Sequence, residues 1–484
     1  MTLKMEIGMR IFKMALCASA CSLAIAGGAN AQDFGSQVEQ LLSAQSQKLF
    51  GFNGPLEQSA TTNVPRAGTT SPTEVIDLAH GLSARFLTRG AANDADMFSF
   101  YPLNNPTHVV FCIENGRAVD AAGKPVNPSI QAINLATGAV TDVAYGMDRC
   151  DGIRTTAWNT VLATEETDDG GAYELLNPLN GDKFFVLNRG AAGASATIVD
   201  QTGADGTNRM AKRPQLATLA WEGLATLDNG VVIFGDELRP GSGAPDTDGG
   251  ALFKFVPSTP RLSAGPISAL AQSPFVAGTN YAMRVSCTSG AQYGQGCEVG
   301  NGAWVAVSAA FARADADRLG ATGYYRPEDL HADPVYAGAG VRFCWTNTGS
   351  SSAKNYGEVM CGVDSQPLTA SASQNTVVVN RFIEGDLQLN APDNLAFQPV
   401  TGNVYVIEDN ANGDVWGCLP DGADRDIKSD GCMRVLSVRD RSAEPTGFEF
   451  SADGKYAIVS VQHSAPDQLG DTDDIIVIEG FAVK

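Results

Sequence analysis

One motif decides the fold, and it first occurs as Thr155-Thr156-Ala157-Trp158-Asn159-Thr160-Val161-Leu162-Ala163-Thr164-Glu165-Glu166. This apolar run ends in two adjacent carboxylates. An acidic, Gly-rich loop and a second apolar run, Ala172-Tyr173-Glu174-Leu175-Leu176, follow it. Short apolar runs separated by Gly and Asp are typical of β-strands joined by turns. The motif therefore predicts a strand that ends in carboxylates, which are ligands that hard metal ions prefer.

Altered copies of this motif recur downstream. Each copy has an acidic or hydroxyl residue in its first two positions and continues through a turn into two further strands. The copies begin at Trp221-Glu222-Gly223, Pro327-Glu328-Asp329, Pro392-Asp393-Asn394 and Thr446-Gly447-Phe448. A repeated hairpin with an outer strand is typical of a β-propeller blade. We predict an all-β chain that forms a single β-propeller of about six blades.

The chain divides into three predicted parts. Residues 1–31 have the basic start, short apolar core and Ala29-Asn30-Ala31 cleavage site of a signal peptide. Residues 32–72 are polar and weakly patterned, and we expect an N-terminal arm or strap there. Residues 73–484 form the predicted propeller domain. No later run approaches the roughly 18 apolar residues of a membrane helix, so we expect a periplasmic or secreted protein without a membrane span.

The composition is acidic, with 54 Asp and Glu against 33 Lys and Arg and a formal net charge of -21. This charge argues against nucleic acid and anionic membranes as partners. It can serve solubility alone, or it can reflect bound divalent cations, which need several carboxylate oxygens. We expect a monomer whose partner is a small molecule.

Ten cysteines are present, and eight remain after removal of the signal peptide. An even number in an exported protein predicts disulfides. The predicted pairs are near neighbours: Cys112 with Cys150, Cys287 with Cys297, Cys344 with Cys361, and Cys418 with Cys432.

The acidic residues at the start of the repeats should meet near the propeller axis, because the innermost strand of every blade lines the central channel. Crowded carboxylates repel one another, and a bound cation removes the repulsion. The alternative is that individual acids cap turns or lie on solvated edges. The predicted metal ligands are Glu165, Glu222, Glu328, Asp393, Glu408 and Asp409. In each adjacent pair of strand-end acids, the first residue is the stronger candidate, so Glu166 and Glu237 rank lower.

Arg326 stands two residues before Glu328. A guanidinium group beside metal ions is suited to bind phosphate or carboxylate. The alternative is a salt bridge to a neighbouring acid.

Several of these motifs resemble the PhoX-type alkaline phosphatases. They are Thr156-Ala157-Trp158-Asn159-Thr160 with Thr164-Glu165-Glu166, Trp221-Glu222-Gly223, Arg326-Pro327-Glu328-Asp329 and Pro392-Asp393-Asn394-Leu395. The resemblance implies a six-bladed propeller that binds iron and calcium ions in its channel and hydrolyses phosphomonoesters outside the cytoplasm. By this match Glu165, Glu222 and Glu328 are metal ligands and Arg326 lies near the substrate phosphate; we assign catalytic roles to Arg326 and Glu222.

Three features depart from the family pattern. Thr164 stands where the family has a Cys ligand to iron, Trp221 stands where a His is frequent, and the signal lacks paired arginines. These departures favour Ca²⁺ as the bound ion, with Fe³⁺ as the alternative.

Two classes of function follow from the sequence. The first is an exported, metal-dependent phosphatase-like hydrolase that acts on phosphomonoesters, with a calcium-dependent lactonase or phosphodiesterase as variants. The second is a non-catalytic, calcium-stabilised propeller that binds a ligand or a partner. The metal content and the turnover of a phosphate ester discriminate between them.

Overall fold

The computed structural model describes residues 34–241, 248–285, 298–420 and 431–482. The predicted signal peptide and the Cys287–Cys297 pair lie outside these residues. The rest of the chain forms β-sheets that surround a channel, and the predicted all-β propeller is confirmed.

The N-terminal part precedes the first complete blade. It contains helices α1 (Phe34–Leu49) and α2 (Pro72–Val75) and strands β1 (Ile76–Leu78) and β2 (Ser83–Ala92). Between the two helices the chain is extended and hydrogen-bonds along the outside of a distant sheet, where the Leu56 amide donates to Arg434 and the Val64 amide to Arg439. Within the described residues, the helices are all too short or too polar to cross a membrane.

Each blade has its innermost strand at the channel, and neighbouring strands of a blade pair antiparallel except β6 and β10 of blade 1, which are parallel. Blade 1 contains β3 (Ala95–Tyr101), β4 (His108–Ile113), β5 (Pro128–Asn134) and β6 (Val140–Tyr145), and β10 (Phe184–Asn188) and β11 (Thr197–Asp200) extend it outward. Blade 2 contains β7 (Cys150–Thr155), β8 (Thr160–Glu165), β9 (Ala172–Leu176) and β12 (Met210–Lys212). Blade 3 contains β13 (Leu224–Thr226), β14 (Val232–Gly235), β15 (Gly250–Pro257), β16 (Gly278–Val285) and β17 (Gly300–Val307).

The remaining blades complete the circle. Before blade 4, α3 (Ala312–Arg318) leads to the short β18 (Gly323–Tyr324), which pairs with β15. Blade 4 contains β19 (Pro327–Ala332), β20 (Val341–Asn347), β21 (Glu358–Asp364) and β22 (Val377–Glu384). Blade 5 contains β23 (Pro392–Phe397), β24 (Val404–Glu408), β25 (Asp414–Cys418) and β26 (Cys432–Val438), with β1 on its outer edge. Blade 6 contains β27 (Glu444–Phe450), β28 (Tyr456–Gln462) and β29 (Thr472–Glu479), and β2 is its fourth strand. Short 3₁₀ turns lie at Leu270–Gln272, Pro274–Val276, Ala309–Phe311 and Ser351–Ala353.

The innermost strands form a closed ring. β3 packs against β7, β7 against β13, β13 against β19, β19 against β23, β23 against β27, and β27 returns to β3. Because all six start at the same end of the channel, residues at the starts of these strands are brought together.

Apolar side chains from neighbouring blades form the core between the sheets. Trp158, Trp221, Trp304 and Trp345 are completely buried. The Trp221 ring stacks on Phe234 at 4.0 Å between centroids, and Phe234 stacks on Phe253 at 5.7 Å. This packing holds Trp221 in the core and leaves its neighbour Glu222 at the channel.

The described residues contain three disulfides, and each is one of the predicted pairs: Cys112–Cys150, Cys344–Cys361 and Cys418–Cys432. The last two join opposite residues of adjacent antiparallel strands. Disulfides of this kind indicate an oxidising compartment.

Candidate metal centre

A cavity of about 330 Å³ opens at the end of the channel where the innermost strands begin. Its wall consists almost entirely of charged side chains. Five blades place an acid at the same position near the start of the innermost strand, and these acids line the cavity: Asp96, Asp151, Glu222, Glu328 and Asp393. In the sixth blade this position is Thr446, which is buried. The Thr446 hydroxyl donates to the Asp96 carboxylate at 2.7 Å.

These acids form two groups that could each hold an ion. One carboxylate oxygen from each of Glu222, Glu328 and Asp393 lies within 4.8 Å of the others. The same holds for Asp96, Asp151 and Glu114, the residue that follows β4. The three acids predicted from the repeat are therefore brought together, and a second triad that the sequence analysis missed lies in the same cavity.

The environment disfavours ionised carboxylates without a counter-ion. Burial, followed by the field of neighbouring carboxylates, raises the pKa values of Asp151, Glu222 and Asp393 well above their usual range. Burial also raises the pKa of Asp96 and of Glu328 to about 7, in the case of Glu328 despite the adjacent Arg326. A cation of high charge stabilises the ionised forms and displaces the protons.

Unpaired oxygens support this interpretation. Asp151 Oδ1, Glu328 Oε2 and Glu166 Oε2 are buried and have no hydrogen-bond partner among the described residues. Buried polar atoms without partners are costly, and an unseen ion is one standard explanation. The donors are carboxylate oxygens, which suit hard ions such as Ca²⁺ and also accept Fe³⁺. The donor set therefore fits a hard cation.

A thiolate ligand is absent from the described part of the cavity. All six described cysteines are in disulfides. The Thr164 hydroxyl, at the position of the family cysteine, donates to the Gly152 carbonyl at 3.0 Å inside blade 2. The indole N–H of Trp221 donates to the Ala217 carbonyl. Neither residue lines the cavity, and the candidate ligands of the two triads are all carboxylate oxygens.

Glu165 lies behind the cavity wall. Its two carboxylate oxygens accept hydrogen bonds from the backbone amides of Asp148 and Gly171, both at 3.0 Å. The Arg189 guanidinium also pairs with both oxygens, at 2.8 and 3.1 Å. Both oxygens of Glu165 are therefore hydrogen-bonded to groups behind the wall, and this carboxylate stabilises the wall.

Glu408 has comparable amide contacts in blade 5, with the Trp416 indole in place of a guanidinium. Its carboxylate accepts from the backbone amides of Asn390 and Asp414, both at 3.0 Å, and burial raises its pKa to about 8. In blade 3, the two carboxylate oxygens of Asp236 accept hydrogen bonds from Nε and from one terminal nitrogen of Arg313, both at 2.7 Å. The first acid of each strand-end pair is therefore an internal brace.

The second acid of each pair lines the cavity. Adjacent residues of an extended chain point in opposite directions, so Glu166, Glu237 and Asp409 turn inward where their predecessors turn outward. The order of preference drawn from the sequence is thus opposite to the observed placement. Of the predicted ligands, the structure brings Glu222, Glu328, Asp393 and Asp409 to the cavity and leaves Glu165 and Glu408 outside it.

Arg326 lies in the cavity wall, where the sequence predicted an anion-binding residue. Its Nε is 2.6 Å from Glu237, one terminal nitrogen is 2.9 Å from Glu328, and the other is 3.5 Å from Asp409. The salt bridges of the predicted alternative are present, and the guanidinium also lines the cavity. Three carboxylates fix its orientation.

His463 supplies another cation at the rim. Its Nδ1 lies 2.9 Å from Asp94 and its Nε2 lies 3.2 Å from Glu444. Hydrogen bonds to these two carboxylates raise its pKa to about 11, so the ring is positively charged at neutral pH.

The sequence carried a signal for one missed acid. Asp151-Gly152 repeats the pattern of Glu222-Gly223, and each acid precedes the strand-end acid of its blade by fourteen residues. The glycines are required by close approach of neighbouring innermost strands. A Cβ on Gly152 would lie 1.9 Å from the Glu222 carbonyl oxygen, and one on Gly223 would lie 2.0 Å from the Leu330 amide.

Comparison with known proteins gives one family match and several similar folds. The family model described as alkaline phosphatase PhoX matches residues 242–465. Among solved structures, a Pseudomonas fluorescens PhoX in complex with vanadate aligns with a TM-score of 0.57 and 14% identity, over 87% of this chain and 98% of that chain. A gluconolactonase from Xanthomonas campestris aligns with a TM-score of 0.43 and 10% identity, over 87% of this chain and 98% of that chain. No curated protein matches this chain. The family match and the shared fold confirm the resemblance to the PhoX-type alkaline phosphatases that the repeated motifs indicate.

Proposed function

We propose that this protein is an exported, metal-dependent phosphatase-like hydrolase that acts on phosphomonoesters in the acidic cavity. The observation that carries the proposal is the convergence of acids from five blades, with unpaired buried oxygens, beside a fixed guanidinium. The PhoX family match supports it. So does the structural relative, whose complex contains vanadate, described as a transition-state analogue.

We assign the ligands by position. Glu222, Glu328 and Asp393 would hold one ion, and Asp96, Glu114 and Asp151 a second, with Glu166, Glu237 and Asp409 at the edges. Ca²⁺ is the expected ion and oxygen-ligated Fe³⁺ the alternative. When bound, such ions polarise phosphoryl oxygens and stabilise the charge that develops on them.

Arg326 would bind the phosphate of the substrate. Its side chain is 13% exposed and held by three carboxylates, so its N–H groups keep one orientation before the substrate arrives. A preorganised donor costs no reorganisation when charge develops in the transition state. Glu222, a buried residue of the cavity wall, would position the ion that it shares with Glu328 and Asp393 next to that phosphate. Export to the periplasm or the medium agrees with the three disulfides and with the signal-like residues 1–31.

The second candidate is a calcium-stabilised propeller without catalytic activity. It is favoured by the ion pairs of Arg326, which neutralise carboxylates even without an anion. In that case the cavity would serve only to bind calcium and to stabilise the ring.

The deciding experiment is elemental analysis of the purified protein together with turnover of p-nitrophenyl phosphate. Turnover should be lost in EGTA and return when calcium or iron is restored. The Glu222→Gln variant should lose metal and turnover. Glu174→Gln is the matched control, because Glu174 is equally buried but pairs with Arg213 away from the cavity. A protein that binds metal and hydrolyses no phosphomonoester with any added ion would refute the phosphatase and leave the calcium-stabilised propeller.

A further inference from the structure

Arg149 occupies in blade 2 the position that Arg326 occupies in blade 4. Each arginine precedes the acid of its innermost strand by two residues, Asp151 in one blade and Glu328 in the other. Each has a positive φ, 50° for Arg149 and 56° for Arg326. Non-glycine residues adopt this conformation uncommonly. Asp94 (64°) and Ala391 (49°) share it at the equivalent position of two other blades, so it marks a local structure of the repeat. The equivalent residues of the other blades are Asp94, Ala220, Ala391 and Glu444.

Backbone hydrogen bonds show the same equivalence. The Arg149 amide donates to the carbonyl of Asn115, the residue after the cavity acid Glu114 of the preceding blade. The Arg326 amide donates to the carbonyl of Leu238, the residue after the cavity acid Glu237 of its preceding blade.

The arginine carbonyls also have equivalent partners. The Arg149 carbonyl accepts from the amide of Glu166, and the Arg326 carbonyl accepts from the amide of Thr348. Each donor lies just beyond the second strand of the arginine's own blade. The two backbones are therefore fixed in the same way at two places around the cavity.

The two side chains differ in how far their donors are already used. Arg326 directs all three nitrogens at carboxylates and is 13% exposed. Arg149 places one terminal nitrogen 3.2 Å from Glu114, whereas its Nε is 4.0 Å from Glu166, beyond hydrogen-bond distance. Its side chain is 50% exposed at the cavity mouth. A guanidinium has five N–H donors, so Arg149 has donors to offer to a ligand.

We propose that Arg149 is a second phosphate-binding residue, which engages the phosphate oxygens from a different side of the cavity than Arg326. The inference rests on the proposed function and specifies its substrate class. A phosphomonoester dianion has more terminal oxygens and one more negative charge than a diester, so a second guanidinium at the mouth favours the monoester. Arg149 would pair with the second negative charge, which a phosphomonoester has and a phosphodiester lacks.

The test compares Arg149→Ala and Arg149→Lys with wild type and with Arg85→Ala. Arg85 is the matched control, because its side chain is also 50% exposed and ion-paired, to Glu479 on the outer edge of blade 6. The measurements are calorimetric titration of the calcium-loaded proteins with inorganic phosphate, titration with calcium in the absence of phosphate, and kcat/KM for p-nitrophenyl and bis-p-nitrophenyl phosphate.

For Arg149→Ala, we expect the phosphate Kd to rise about ten- to hundredfold, the range for a lost charged hydrogen bond. The calcium affinity should stay the same or increase, because a positive charge has been removed beside Glu114 and Glu166. The monoester-to-diester ratio of kcat/KM should fall, Arg149→Lys should recover part of the phosphate affinity, and Arg85→Ala should match wild type. A weaker phosphate affinity with an unchanged or stronger calcium affinity cannot arise from a general loss of structure.

Two results would overturn the inference: a phosphate Kd for Arg149→Ala within about twofold of wild type, or calcium and phosphate affinities that weaken together. The fate of the proposed function is read separately. If wild type binds phosphate but hydrolyses no ester, the hydrolase proposal fails and the phosphate Kd still decides the role of Arg149. If metal-loaded wild type does not bind phosphate, the role of Arg149 is refuted whatever the turnover.

Discussion

Exchanging Glu165 and Glu166 separately for Gln tests the division of labour between two adjacent acids. The substitutions are chemically identical and one residue apart, yet the structure predicts opposite outcomes. Glu165 is fully buried behind the wall and pairs with Arg189, whereas Glu166 lines the cavity and has an unpaired Oε2. Glu165→Gln should therefore reduce stability, and Glu166→Gln should reduce metal affinity.

The expected loss of stability follows from the contacts of Glu165. Removing one partner of a buried ion pair costs about 3–5 kcal/mol. We expect the lower end, about 3 kcal/mol, because Arg189 keeps its contacts to Asp148 and Asp169 and is 15% exposed. Unfolding of about 450 residues has an entropy of roughly 0.9 kcal/mol/K, so Tm should fall by about 3 °C.

Glu166→Gln should behave in the reverse manner. It removes one of several like charges around the cavity, so the Tm in EGTA should remain or rise, and calcium affinity should fall about tenfold or more because affinity depends on ligand charge. Scanning calorimetry in EGTA and titration with calcium measure both quantities. Loss of calcium binding in Glu165→Gln together with full binding in Glu166→Gln would refute the reasoning.

Three further predictions concern other parts of the molecule. In EGTA, Tm should fall as the pH rises from 5 to 8. Asp96 and Glu328 have folded pKa values of about 7, above those of the unfolded chain, so the stability that their protonation gives is present at low pH and is lost as the pH rises through 7. Saturating calcium should flatten this dependence in the same melting series, and an unchanged slope would contradict the prediction. Replacing Cys344 and Cys361 together by Ala should lower the free energy of unfolding by about 3 kcal/mol, since the bond closes a loop of 17 residues; denaturant titration measures this, with unchanged stability as the contrary result. Arg66→Met should lower it by about 3–5 kcal/mol, because Arg66 is 1% exposed and pairs with two carboxylates near the outer strands of blade 6; a melting temperature equal to that of wild type would show that this contact does not hold the N-terminal segment.

The repeat in the sequence was sufficient for the architecture and for one triad. The pattern of an acid, a turn and two strands recurs at Glu222, Glu328 and Asp393, and equivalent positions of propeller blades must meet at the axis. The three cysteine pairs in the described residues also formed as expected from their proximity in sequence. These features depend on local pattern and on symmetry, which a single sequence contains.

The orientation of adjacent acids could not be obtained in this way. Glu165 and Glu166 are the same residue type, and a shift of one residue in the strand register reverses which of them faces the channel. Register depends on bulges, and β7 and β8 contain one between Cys150 and Ile153. Because this irregularity is a property of the paired strands, the choice between the two acids became visible only in three dimensions.

The second triad was missed for a related reason. Asp96 starts a blade whose sequence has no strand-end acid pair, and Glu114 follows β4 alone. Only Asp151-Gly152 preserved the recognisable pattern. The cavity is built from equivalent positions of the blades, and several of these positions carry different residues. The three-dimensional structure therefore identifies them where the repeated sequence motif does not.

The pairing of β2 with β29 has a consequence for biosynthesis. The strand that completes blade 6 is translated near the beginning of the chain, and its partner is translated near the end. Blade 6 cannot be complete until β29 has been synthesised, because β29 lies between β28 and β2 in its sheet. The ring of blades is therefore closed by pairing an early strand with a late one, and a chain truncated before β29 leaves β2 without its partner strand.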